Sequence, residues 1–146
     1  MTVKQISVFL ENKPGKLAEF TDVLSDNKID MRALSLAEAA DFGIARVIVD
    51  DVYNASTILK DAGYVFSMTK VVAAVIPDEP GGLSHVIKTL GDSGVNIEYM
   101  YAFGTKKERH AMIIFKTEDN RKAADVLKDG GVHVLDTQEV YERLYS

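Results

Sequence analysis

Cysteine and tryptophan are absent from this 146-residue chain, and proline occurs only three times. Without cysteine there is no disulfide framework, no CxxC redox pair and no thiolate metal site. The histidines His85, His110 and His133 are scattered, and none shows the i, i+4 spacing of a helical zinc site. No metal and no cofactor are therefore expected. Dense basic runs are also missing; Lys106-Lys107 is the nearest approach and reads as a turn. With a formal charge of −5, the chain lacks the basic footprint that nucleic acid selects for. No apolar run reaches the ~20 residues needed to span a bilayer. Met1-Thr2-Val3-Lys4 leads at once into a strand-like alternation and not into a leader segment. No membrane contact and a cytoplasmic location are the expectations.

What the chain does have is the same passage twice. "ISVFLENKPGKLAEF" begins at Ile6, and "VAAVIPDEPGGLSHV" begins sixty-six residues later at Val72. That offset lays Pro14-Gly15 on Pro80-Gly81 and Leu17 on Leu83. It also lays Ile29-Asp30-Met31 on Val95-Asn96-Ile97, and Ala45–Val49 on Ala111–Phe115. One supersecondary unit has been duplicated. The division expected is residues 1–69 for the first unit and 70–146 for the second. Each unit is near the size at which a lone hydrophobic core is marginal.

Within the first unit, Ile6, Val8 and Leu10 alternate as in a strand. Pro14 suits the first turn of a helix, where a missing N–H costs nothing. Leu17, Phe20, Val23 and Leu24 then form one apolar helical stripe ending near Asn27. Strands follow at Met31–Leu36 and Ile44–Val49, around a loop at Asp41-Phe42-Gly43. Ala55, Ile58, Leu59 and Ala62 mark a second helix with Gly63 just past its end. Tyr64–Thr69 closes the unit as a strand. The second unit repeats the order, with strands at Val71–Ile76, Val95–Phe103, Ala111–Phe115 and Val132–Leu135. Its helices are marked by Leu83, Val86, Ile87 and Leu90, and by Ala123, Ala124 and Leu127. A polar turn is expected at Thr105–Arg109. The fold class is thus α+β: two ferredoxin-like βαββαβ units in tandem with antiparallel sheets. The tail adds a short C-terminal helix, with an Asp136/Glu139 capping box and a stripe of Val140, Tyr141 and Leu144.

Chemistry enters at the duplicated loop. A strand–Pro-Gly–helix loop of this form resembles that of ACT domains, and the resemblance implies as ligand a free amino acid, which carries a carboxylate and an ammonium. Backbone N–H groups at a helix start suit the carboxylate. Gly15 and Gly81 leave no side chain in the way of close approach. Asp30 and Asn96, sixteen residues after each proline, stand where the resemblance to ACT domains implies an oxygen for the ammonium, and Asn12 and Asp78 offer oxygens as well. The candidate ligand residues are therefore Asn12, Pro14, Gly15, Leu17 and Asp30 in the first unit. In the second they are Asp78, Pro80, Gly81, Leu83 and Asn96. The Asp78-Glu79 flank is acidic, so the first loop suits a carboxylate better. No nucleophile–base pair or paired carboxylates stand out as catalytic residues, and no enzyme activity is expected.

A βαββαβ unit with an N/D-x-P-G-x-L loop after its first strand and an "Asn-Ile"-type step before its second resembles the ACT domain. The resemblance covers nearly the whole chain as two such domains in tandem, the free-standing type. The first unit alone is also similar to the opening of the acetohydroxyacid synthase regulatory subunit. The resemblance implies a regulatory sensor that binds a free amino acid, a branched-chain one among the candidates, at an interface between ACT-like units. It further implies a homodimer and an enzyme partner on another chain. Leu10 and Ile76 stand where some ACT effector sites have histidine, which favours an apolar contact. Two other readings are a ligand-free structural pairing module and a regulatory subunit of an amino-acid biosynthetic enzyme such as acetohydroxyacid synthase.

Overall fold

The computed structural model describes residues 2–105 and 109–145. The tip of the expected Thr105–Arg109 turn, with Lys106-Lys107, lies outside the described residues, as does the Leu144 side chain of the tail stripe. The chain divides into two compact units, one of residues Lys4–Thr69 with Leu144–Ser146, the other of Lys70–Arg143 with Met1–Val3.

The first unit contains β1 (Val3–Glu11), α1 (Lys16–Asp26), β2 (Met31–Ala39), β3 (Phe42–Val49) and α2 (Val52–Asp61). It ends in the first part of β4 (Val65–Pro77). The sheet order is β2-β3-β1-β4. The second unit starts in the later part of β4 and adds α3 (Gly82–Asp92), β5 (Ile97–Thr105), β6 (His110–Thr117) and α4 (Asn120–Asp129). β7 (His133–Leu135) and α5 (Thr137–Tyr145) complete it. Its sheet order is β5-β6-β4-β7. Both units are ferredoxin-like, as the sequence order of elements requires.

Alternation along the strands builds the two cores. Ile6, Val8 and Leu10 of β1 share one face with Ala45, Val47 and Val49 of β3, and pack against Phe20, Leu24, Ala55 and Leu59 of the helices. The equivalent core joins Val72, Ala74, Ile76, Ile113 and Phe115 to Val86, Leu90, Ala124 and Leu127. The opposite face is largely buried in the second unit and partly exposed in the first, at Phe9 and Phe42. In the second unit Val71, Ala73, Ile114 and Leu135 are inaccessible to solvent, and so is Val140 of α5. In the first unit that face carries a polar strip: Gln5 Nε2 donates to Ser7 Oγ at 3.3 Å, and Ser7 Oγ meets Thr69 Oγ1 at 3.1 Å.

All four repeat helices end alike. After α2, the Tyr64 N–H reaches Leu59 O and the Gly63 N–H reaches Lys60 O, the paired bonds of a Schellman motif. Gly94 and Gly131 occupy the same left-handed position after α3 and α4. After α1 that position falls to Lys28, with φ of 60°. α5 starts with the capping box expected, the Glu139 N–H donating to Asp136 Oδ1 at 2.8 Å.

Three expectations need correction. Pro14 is not in the first helical turn, since α1 begins at Lys16. Lys16 N–H donates to Lys13 O, and Gly15 has φ 85° and ψ −14°. That is a type II turn with Pro at its second position and Gly at its third. The β2–β3 connection is also tighter than the Asp41-Phe42-Gly43 loop expected. Phe42 and Gly43 pair in the sheet, and only Ala40 and Asp41 turn, Ala40 with φ 56°. Finally, Tyr64–Thr69 and Val71–Ile76 are parts of one strand, because nothing between Thr69 and Val71 interrupts an extended backbone.

Two substitutions test these backbone assignments. Holding lysine in the left-handed region costs about 1–2 kcal/mol, partly offset by the greater unfolded-chain entropy of glycine. Lys28→Gly is predicted to stabilise the protein by about 0.5–1 kcal/mol, raising the melting temperature by roughly 1–4 °C; a lowered melt would contradict the αL assignment. A Cβ on Gly82 would sit 2.4 Å from the Pro77 carbonyl oxygen. Gly82→Ala is therefore predicted to destabilise by about 1–3 kcal/mol in urea unfolding, and an unchanged midpoint would disprove the contact.

Candidate functional site

Each Pro-Gly turn delivers a helix start with no side-chain cap. At α2 and α4, Asp51 and Asp119 accept from the N–H groups of Asn54 and Lys122. At α1 and α3 the N-cap residues are Gly15 and Gly81, both left-handed and without a capping hydrogen bond from a side chain. The first-turn N–H groups of a helix have no partner inside it. The Lys16 and Gly82 N–H groups are taken by Lys13 O and Glu79 O within the turns, and those of the next two residues lie uncapped beside exposed glycines, at the positive end of the helix dipole.

In the first unit this turn borders a recess of about 190 Å³. Leu10, Leu17 and Leu36 give it an apolar wall, and Gly43 lies in the wall as well. Asn12, Lys13, Glu11 and Glu38 form its polar side. The recess exists because the hairpin tip is tied to the turn. Asn12 N–H donates to Asp41 O at 3.0 Å, and Asn12 Nδ2 donates to Ala40 O at 3.3 Å. A Cβ at Gly43 would come within 3.3 Å of Leu36 Cδ1, so glycine there keeps the leucine in place. Lys13 Nζ lies 3.0 Å from Glu11 Oε2. The Lys13 hydrogen bond and charge, followed by the Lys16 charge, hold the Glu11 carboxyl below its ordinary range.

The ten residues expected at a ligand site separate into distinct places. Asn12 and Leu17 line the recess, with Pro14 and Gly15 forming the turn at its margin. Asp30 is elsewhere. It follows α1, whose eleven residues span about 16 Å at 1.5 Å per residue. Its neighbours there are Arg32, at 3.0 Å, and Asp50, whose Oδ1 accepts the Asp30 N–H. It lines a separate open groove with Thr21, Ser25 and Lys28. In the second unit Asp78, Pro80 and Gly81 form the corresponding turn, and Asp78 N–H donates to Arg109 O at 2.8 Å. Leu83 follows in α3 and is exposed, while Asn96 lies beyond the far end of that helix. Inside either unit, then, the turn and the Asp/Asn position are at opposite ends of a helix.

Leu36, Glu38 and Gly43 were not anticipated at the site. The antiparallel strand order does place the end of β2 beside the turn, so the signal was topological and not a motif. Among the described residues, no group of three His, Asp or Glu side chains could hold a metal. No helix among them is long and apolar enough to cross a membrane.

Comparison with known proteins bears on the whole arrangement. The family described as "ACT domain pair" matches residues 1–143. A search of curated proteins found no match. Among solved structures, protein BT0572 from Bacteroides thetaiotaomicron is similar at 41% identity and TM-score 0.90, over 97% of this chain and 96% of that one. The regulatory subunit of aspartate kinase from Thermus thermophilus, in a ligand-free form, shares the fold at TM-score 0.64 and 17% identity, over 87% and 91% of the two chains. A putative C-terminal regulatory domain of aspartate kinase from Porphyromonas gingivalis shares it at TM-score 0.54 and 14% identity, over 89% and 94%. With its duplicated βαββαβ unit, its paired Pro-Gly turns and a family match over nearly its full length, the chain belongs to the ACT domain pair family.

Proposed function

We propose that this protein is a regulatory module that binds a free amino acid at the first Pro-Gly turn and passes the binding signal to an enzyme on another chain. The observation that carries the reading is the recess beside Gly15. Its lining joins Leu17 of the first helical turn to an apolar wall and to the charged side chains of Lys13, Glu11 and Glu38, beside a helix start that has no side-chain cap. The ligand carboxylate would take the N–H groups of the first turn of α1, with Lys13 and Lys16 adding positive potential. The side chain would rest on Leu10, Leu17 and Leu36, which favours an aliphatic amino acid, branched-chain ones included. Glu38 is the acidic group at hand for the ammonium. Asp30, at the far end of α1, has no part in this recess.

The second turn is the weaker candidate. Lys13 and Lys16 are replaced by Glu79 and Gly82, which removes both cations and adds a charge that repels a carboxylate. The Phe9 and Phe42 rings lie 5.8 Å apart, tilted at 52°, and remain about two-fifths exposed. An exposed aromatic pair supports a homodimer, which light scattering would register as twice the chain mass.

Melting the protein against a panel of amino acids tests the reading. At about 100 times its dissociation constant, a ligand stabilises the folded state by about 2.7 kcal/mol, or roughly 5–11 °C here. Leu36→Asp and Lys13→Glu, both at exposed positions, are each predicted to weaken binding about tenfold or more. Asp30→Ala should leave it unchanged. If no amino acid shifts the melt at millimolar concentration, the sensor reading fails; if Asp30→Ala abolishes binding, the site is misplaced.

A further inference from the structure

α5 has no counterpart in the first repeat, and with β4, β6 and β7 it frames a second, larger depression. An open groove of about 560 Å³ is lined by Val75, Pro77, His110, Gly131, His133 and Arg143. Register puts the two histidines on one face of the sheet. His110 lies directly opposite Pro77, and His133 directly opposite Val75, two residues along the same strand. Residues two apart in a strand point to the same side. Arg143 comes to the groove from the last turn of α5. Three basic side chains thus converge from three elements over a floor of valine and proline, in a protein whose net charge is −5.

The groove's acidic neighbour is Glu139. One carboxylate oxygen accepts from His133 Nε2 at 2.8 Å, and the other accepts from the Asp136 N–H at 3.4 Å. Glu139 is therefore tied down as part of the α5 capping box. Its bond places the His133 proton on Nε2 and leaves Nδ1 as the remaining ring nitrogen. His110 and Arg143 also engage other groups of the protein, so an incoming anion would join or exchange existing contacts.

We infer that this groove is a second binding site, for a small organic oxyanion: a carboxylate or phosphate carried on an apolar body. Arg143 offers a planar fork of donors suited to either group, and the His110 imidazole can add a donor beside it, while the His133 N–H stays with Glu139. The Val75–Pro77 floor takes the apolar portion, and the volume falls within the range of about 300–1,000 Å³ common for small-molecule sites. Because its residues share nothing with the recess at Gly15, this inference stands or falls independently of the amino-acid reading.

Calorimetric titration of the full chain at low ionic strength tests it, with isobutyrate and isobutyl phosphate as probes. Binding of either supports the site, and the tighter probe identifies the headgroup. Arg143→Gln and His110→Gln, both at exposed positions, are each expected to weaken binding about tenfold, while Arg143→Lys retains part of it. Glu139→Gln should act in the opposite direction. Glutamine preserves the capping box but removes the negative charge, so binding should tighten by roughly two- to fivefold. The inference is overturned if neither probe binds, if the His110→Gln/Arg143→Gln double variant binds as the parent does, or if Glu139→Gln weakens binding.

Discussion

A left-handed glycine between strand and helix governs the geometry of both units. Gly15 and Gly81, with φ of 85° and 90°, each complete a type II turn that only glycine adopts without strain. Their carbonyls accept the first bond of the following helix, from Glu19 and His85 N–H respectively. A glycine N-cap satisfies no N–H with its own side chain. The turn that precedes the helix is therefore the same feature that leaves its first donors without a side-chain cap. The other helices, at Asp51, Asp119 and Asp136, close their first turns with a carboxylate. Structure and candidate function rest on one backbone conformation used twice.

Duplication has been followed by divergence at the turn. Lys16 of the first unit corresponds to Gly82 of the second, where a Cβ would collide with the Pro77 carbonyl. The helix start and strand end are thus closer in the second unit than a side chain at that position would permit. Leu36 corresponds to Ala102, and Lys13 to Glu79, so both the apolar wall and the positive flank are reduced. The repeat preserves other detail faithfully. Both second strands carry a register irregularity at the same place, between Met31 and Ala33 and between Ile97 and Tyr99. The architecture is held in common, and the chemistry beside the turn is what differs.

Much of the fold was legible because stripes and repeats are local signals. Phe20, Leu24, Ala55 and Leu59 could be assigned to helix faces from spacing alone, and all four are buried. The misread features have a common cause. Proline followed by glycine fits either a helix start or a type II turn, and the choice depends on the φ of Gly15, which spacing does not encode. Ala40 turns the first hairpin at positive φ, although alanine carries no turn signal. The place of Asp30 could have been worked out, since a helix of eleven residues separates it from the turn within the unit. The contribution of Leu36 and Gly43 could not be read from a motif, because it arises from pairing between β2 and β3 and from the tie of Asn12 to the hairpin tip.

The central claim is that the Gly15 turn, and not its copy, is the place where a small amino acid binds. Backbone amide shifts recorded by NMR during titration with leucine test this residue by residue. The account predicts progressive shifts at Gly15, Leu17 and Ala18, with Gly81, Leu83, Ser84 and Asp30 unmoved. Shifts centred on Asp30 or on the second turn, with Gly15 and Leu17 silent, would contradict it.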